Sequence, residues 1–176
     1  QALAAGNTII MKPSEITSTS LLHWAEIVGD IMPPGVLNVI TGYGAEAGEE
    51  IVKHPSIPVI TFTGSVKTGK RIAMHAAKNL KKVSLELGGK DPAIICDDAD
   101  IDVAAKGTSW GALVNSGQVC TSIERVYVFS NVADRFTESL VEESKKVKLG
   151  DPMDADTDLG PMASKAQLKN LSLIHI

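Results

Sequence analysis

Short apolar runs alternate along the chain with stretches in which apolar residues return every three or four positions, the pattern of strands interleaved with helices. Residues 8–11 predict a buried strand, stopped at Pro13 because proline brings no N–H to a ladder. Residues 18–28 predict a helix, with Leu21, Leu22, Ala25 and Val28 as its apolar positions and Ser/Thr capping candidates at its start. The turn Pro33-Pro34-Gly35 then leads into a strand over 36–40, a helix over 45–53 and a third strand over 59–63. That order predicts a βαβαβ unit with a parallel sheet.

After Gly69 an amphipathic helix is predicted to about residue 77, followed by a strand over 83–87 that ends on Gly88-Gly89. Beyond the glycine pair come a strand over 93–95, a helix from 101 to about 115, an alternating strand over 125–129 and a helix over 132–148 with charge on one face. The pair therefore reads as a boundary: residues 1–88 form one α/β unit and residues 89–176 open a second.

Composition narrows the function classes. A formal charge of −4 over 176 residues leaves no basic stripe to neutralise phosphates, so nucleic acid is a poor partner. No apolar run approaches the roughly 18 to 20 residues that span a bilayer, so no membrane is expected. Two cysteines, Cys96 and Cys120, make no disulfide framework and fit a reducing compartment, with the cytosol as the default. The chain opens on Gln1 inside an apparent helix-to-strand segment, so a preceding part is expected to be missing.

Several segments carry candidate chemistry. Gly64-Ser65-Val66-Lys67-Thr68-Gly69 lies between a strand and a helix, where backbone N–H groups and the helix dipole favour an anion. Extended by Lys70 it nearly reads as a triphosphate loop, but Arg71 stands where that motif needs Ser or Thr for magnesium. It lacks GxGxxG as well, so spacing alone leaves both a structural turn and a cofactor loop open. Lys12 and Glu15 follow the first strand's carboxyl end, where open α/β sheets bind ligands; a solvated turn is the bland alternative.

The acidic run Asp97, Asp98, Asp100 and Asp102 invites a calcium loop, yet Val103 and Ser109 fall where glycine and glutamate are required. A capping role for Asp98 or Asp100 accounts for the run, and the four histidines show no ligand spacing, so no metal is expected. Cys120 ends the small-residue approach Asn115-Ser116-Gly117-Gln118-Val119, which could leave its sulfur exposed as a reactive thiol. Burial as a small hydrophobe is the alternative, and is the expectation for Cys96 after Ile94-Ile95.

Together LAAGNTIIMKPSE, PPGVLNVITG, FTGSVKTG, LELGGKDP and SGQVCTSIERVYV resemble the aldehyde dehydrogenase superfamily, in that family's order and approximate spacing over about residues 1–170. The resemblance implies a Rossmann-like cofactor domain over 1–88 and the start of an α/β catalytic domain over 89–176. It implies Cys120 as nucleophile, Glu86 as general base and Asn115 as a supporting residue. Lys12 and Glu15 match the adenosine-ribose contacts, Gly64 and Ser65 the pyrophosphate turn, Gly69 the helix packing after it, and Leu87 a contact on the nicotinamide side. The activity so implied is oxidation of a small aldehyde to a carboxylic acid with NAD, through a thiohemiacetal and thioester on Cys120. NAD is favoured over NADP, because the Glu15 carboxylate would repel a 2′-phosphate.

Glu86 favours hydrolysis, since family members that pass the acyl group to coenzyme A generally lack it. The GQVC…ERVYV string is most similar to the lactaldehyde, betaine-aldehyde and semialdehyde branches, while Val114, Val119 and Thr121 are too few lining positions to choose a substrate. A homodimer or homotetramer is implied for the full enzyme. The family's side-chain oxyanion donor would precede Gln1, and other catalytic and dimer-forming parts would follow Ile176, so these 176 residues alone are expected to be inactive. Residues 171–176 have no strong counterpart in the family pattern and read as a truncation or sequence-assembly artefact. The rival readings are a nucleotide triphosphatase, disfavoured by Arg71, and a non-catalytic NAD-binding or structural relative, which would require neither Cys120 nor Glu86.

Overall fold

The computed structural model describes residues 1–173 and divides the chain into two compact units, one over Gln1–Glu86 and one from Leu87 onward. In the first, β1 (Ile9–Met11), α1 (Ser18–Gly29) and β2 (Leu37–Val39) form a βαβ unit whose strands pair in parallel, Ile9 opposite Leu37 and Met11 opposite Val39. The predicted helix over 45–53 opens as a π-helical turn, Gly44–Gly48, and continues as α2 (Glu49–Lys53). Next come β3 (Val59–Gly64), α3 (Val66–Ala77) and β4 (Lys82–Leu87).

The α/β class and the parallel pairing match the sequence pattern, but the continuous sheet does not. β3 pairs with β4 rather than extending β1–β2. Packing gives the reason: Ile60 and Phe62 of β3 and Leu85 of β4 gather with Val52, Ile72 and Ala76 of the flanking helices in one apolar cluster. The helix expected after Gly69 begins at Val66, four residues earlier, because the Ser65 side chain accepts the Thr68 N–H and caps it there.

Lys81 is buried beside this cluster, its ammonium donating to the carbonyls of Val52 (2.7 Å) and His54 (2.5 Å) at the end of α2. A cation there meets the negative end of a helix dipole and satisfies carbonyls that have no intrahelical donor.

The second unit holds β5 (Asp91–Ile95), α4 (Ile101–Leu113), β6 (Ile123–Val128) and α5 (Ala133–Lys145), with β5 and β6 parallel. Asp100 settles the acidic run: its carboxylate accepts the N–H groups of Asp102 (3.1 Å) and Val103 (3.2 Å) and caps α4. Ile95, Ile101, Ala105 and Phe136 form this unit's core. Cys96 is exposed, contrary to expectation, because strand alternation turns Ile95 inward and its neighbours Ile94 and Cys96 outward. A last helix, α6 (Lys165–Leu173), was not apparent from the pattern; residues 174–176, part of the apolar tail singled out above, lie outside the described residues.

The chain exposes 12702 Å². A compact monomer of 18.6 kDa exposes roughly 8,200 Å², and two compact monomers of half that mass roughly 9,900 Å² together. The excess is partly apolar, with Ile27, Ile31, Leu80, Ile94 and Trp110 among the exposed side chains.

Candidate functional site

Lys12 leaves the carboxyl end of β1 with its ammonium donating to the carbonyls of Pro13 (2.7 Å) and Gly42 (3.1 Å). Two of its three donors are thereby directed, and the stem is held against the π-helical turn, where a Cβ on Gly48 would lie 3.4 Å from Lys12 Cε. Glu15 is exposed on the turn that Ser14 closes, Oγ accepting from the Ile16 N–H (3.3 Å) and the carbonyl from the Thr17 N–H (3.1 Å). Lys12 lines a cavity of about 360 Å³ together with Gly48, Glu49, Thr68, Arg71 and His75 among others; Glu15, Gly64 and Ser65 do not line it.

At the start of α3, Ser65 Oγ accepts from the Thr68 N–H (3.2 Å) and donates to Thr68 Oγ1 (3.0 Å). No acidic residue stands in the first turn, so the positive end of the helix dipole is uncompensated and suits an anion. A Cβ on Gly64 would fall 2.5 Å from the Phe62 ring and force that ring to move, and Gly69 is buried within α3. First-turn amides and the Lys12 ammonium are a donor set that fits a phosphate-bearing cofactor.

No motif in the chain points to the ion cluster beside that cavity. Glu49, first residue of α2 and 14% exposed, receives Lys53 Nζ at 2.6 Å from its own helix, and Arg71 and His75 (3.7 Å) from α3. The Lys53 hydrogen bond, opposed by partial burial and reinforced by the Arg71, Lys53 and His75 charges, holds the Glu49 carboxyl below its ordinary 4.5. A carboxylate with a depressed folded pKa adds stability that is present above the unfolded value and lost as pH falls through the folded one. Urea midpoints measured as pH is lowered from 5 through 4.5 and below should therefore fall more steeply for wild type than for Glu49→Gln.

In the second unit α4 stops at Leu113 and a 3₁₀ turn, Val114–Gly117, carries Asn115 (φ 53°), Ser116 (φ 58°) and Gly117 (φ 72°) through the left-handed region. The helix expected to reach residue 115 thus breaks two residues early. Each non-glycine residue there costs on the order of 1–2 kcal/mol, so the turn persists only because its surroundings impose it. Asn115 Nδ2 donates to the Gln118 carbonyl (3.2 Å), Gln118 Nε2 donates to the Asn115 carbonyl (3.0 Å), and Ser116 Oγ donates to the Gly160 carbonyl (2.8 Å). Gln118 Oε1 accepts the Ala163 N–H (3.0 Å), and buried Ser122 donates to the Ala112 carbonyl (3.2 Å).

Cys120 is a free, exposed thiol between these two anchors. A Cβ on Gly117 would meet the Ala112 carbonyl at 3.3 Å at a φ that L residues disfavour. Gly117→Ala is expected to cost about 1–2 kcal/mol, readable as a lowered Tm.

Glu86 is exposed near the end of β4, and Leu87 after it is half-buried. Downstream of the glycine pair, Glu124 of β6 accepts the Asp91 N–H (2.8 Å) and Lys90 Nζ (3.3 Å), fixing the loop to that strand. The structure thus brings Lys12 and Thr68 to one cavity in the first unit, without Glu15, Gly64 or Ser65, and in the second ties Asn115 to Gln118 two residues before Cys120. Gln118, Ser122 and Glu124, which hold these loops, were not singled out from sequence. Among the described residues there is no cluster of metal-ligating side chains and no helix long and apolar enough to cross a membrane.

Residues 1–174 match the profile of the aldehyde dehydrogenase family. A chloroplastic aminoaldehyde dehydrogenase of Arabidopsis thaliana is 45% identical over 171 residues, 97% of this chain and 34% of the relative. A peroxisomal aminoaldehyde dehydrogenase of Malus domestica is 43% identical with the same coverage, so the chain spans about a third of the length of these relatives. Lactaldehyde dehydrogenase from Escherichia coli superposes with a TM-score of 0.94 at 42% identity, over 98% of this chain and 36% of that one. Betaine aldehyde dehydrogenase from Staphylococcus aureus in complex with NAD+ gives 0.94 at 38%, over 99% and 35%. An NADP-dependent enzyme of E. coli gives 0.94 at 39%, over 98% and 36%.

Proposed function

Since the chain belongs to the aldehyde dehydrogenase family, we propose that its residues serve the oxidation of an aldehyde to a carboxylic acid in a polypeptide of its relatives' length. The observation that carries this reading is the exposed Cys120 thiol just beyond a left-handed turn, between the anchored Gln118 and Ser122. Residues 1–88 are assigned to cofactor binding and 89–176 to catalysis.

In this mechanism Cys120 Sγ attacks the aldehyde carbon, and the oxyanion so formed is met by N–H donors such as the Cys120 amide. NAD, when bound, supplies the hydride acceptor. Lys12 and Glu15 hold its ribose, Gly64 and Ser65 its pyrophosphate, Gly69 the helix behind them, and Leu87 borders the nicotinamide. Loss of hydride leaves an acyl thioester on Cys120. Glu86 then takes a proton from water, the hydroxide adds to the thioester carbon, and the carbon–sulfur bond breaks to release the acid and restore the thiolate. Asn115 supports the loop through its bonds to Gln118.

The Glu15 carboxylate favours NAD over NADP by repelling a 2′-phosphate. Free Cys96 and Cys120 suit a reducing compartment, the cytosol by default, and assembly as a homodimer or homotetramer belongs to the same proposal. The surface excess supports a further expectation: the 176 residues expressed alone should bind an apolar dye and form no NADH. Dye-free cooperative folding with turnover would refute it.

The test is NADH formation by the full-length polypeptide with a panel of small aldehydes, with and without coenzyme A. Acid and NADH formed without coenzyme A support hydrolytic oxidation. An acyl-coenzyme A product overturns the hydrolytic step, and absence of NADH with every aldehyde replaces the reading by a non-catalytic NAD-binding role.

A further inference from the structure

We infer that Glu49 is a positioning residue for cofactor binding, acting as an ionic bridge that sets α2 against α3; the inference rests on the assignment of the first unit to NAD. Glu49 is the first residue of α2 and follows directly on the π-helical turn whose Gly48 packs on the Lys12 stem. Its carboxylate reaches across to Arg71 and His75, one turn apart on α3, the helix that Ser65 opens. All three side chains line the same cavity as Lys12 and Thr68. The bridge therefore sets α2, whose preceding Gly48 packs on the Lys12 stem, against α3, the helix that follows the Gly64-Ser65 turn.

Chemistry favours a bridge over a surface pair. Glu49 is shielded on most of its surface while Arg71 is 55% exposed, so only the carboxylate side of the pair is screened less than in open solvent. Lys53 is different in kind: it meets Glu49 from the same helix, so its loss leaves the link to α3 in place.

The experiment is calorimetric titration of NAD into the full-length polypeptide, with thermal unfolding alongside, for wild type, Glu49→Gln, Arg71→Met, the double variant and Lys53→Met. Expected are NAD dissociation constants raised about 5- to 50-fold in Glu49→Gln and Arg71→Met, no further rise in the double variant, and a change within about twofold in Lys53→Met. In turnover the same variants should raise the NAD KM and keep kcat. Unchanged NAD affinity in folded Glu49→Gln or Arg71→Met overturns the inference, even where Tm falls, because the bridge is then structural only. Should Glu49→Gln not fold, Arg71→Met decides alone. If wild type itself takes up no NAD, the assignment of the first unit fails, an outcome distinct from failure of the bridge.

Discussion

Cys120→Ala is expected to abolish aldehyde-dependent NADH formation in the full-length polypeptide, by at least about 10⁴-fold in kcat, the scale on which removal of a covalent nucleophile acts. Alanine carries no lone pair to add to the carbonyl carbon, so neither hemiacetal nor thioester forms. Folding should be little affected: Cys120 is exposed and makes no disulfide, and the turn is held by Asn115, Ser116, Gln118 and Ser122 instead. NAD titration and Tm therefore serve as controls that should match wild type. Wild-type turnover in the alanine variant would remove Cys120 from the mechanism and the hydrolytic thioester with it.

Glu86→Gln should lower steady-state turnover about 10²- to 10⁴-fold, the usual contribution of a general base, while leaving acylation intact. A rapid-mixing experiment would then show one burst of NADH per active site followed by a slow phase, with the acyl group trapped on Cys120 and visible by intact-protein mass spectrometry. Glutamine keeps the shape of glutamate but cannot accept a proton from water at neutral pH. A slow phase equal to wild type would assign deacylation to another base. Loss of the burst would place Glu86 in acylation, an outcome that the proposed order of steps forbids.

Much of the local structure was legible in the chain. The βαβ start, the strand that enters Gly64, and the cap at Asp100 depend on periodicity and on side chains that bond within three residues of themselves. The candidate site residues were legible through their motifs, which tie residue type to chemistry. Their anchoring was not. Ser116 reaches a carbonyl 44 positions away and Gln118 accepts an amide 45 positions away, distances that no local pattern reports. The early start of α3 and the exposure of Cys96 escape the local pattern for a simpler reason: Gly69, the last residue of the anion-loop pattern, sits buried inside the helix that Ser65 caps, and strand alternation, not the apolar neighbours, sets the side of Cys96.

By itself, then, the sequence determined which segments become strands and helices, where Asp100 caps a helix, and which thiol and carboxylates are candidates for chemistry. These depend on forces acting over one or two turns: backbone hydrogen bonding, apolar periodicity and capping. Only the tertiary structure decided that β3 pairs with β4, that Asn115, Ser116 and Gly117 turn left-handed, and that Glu49 meets Arg71 from 22 positions away. Those outcomes follow from packing and ion pairing between residues that become neighbours only after the intervening chain has folded.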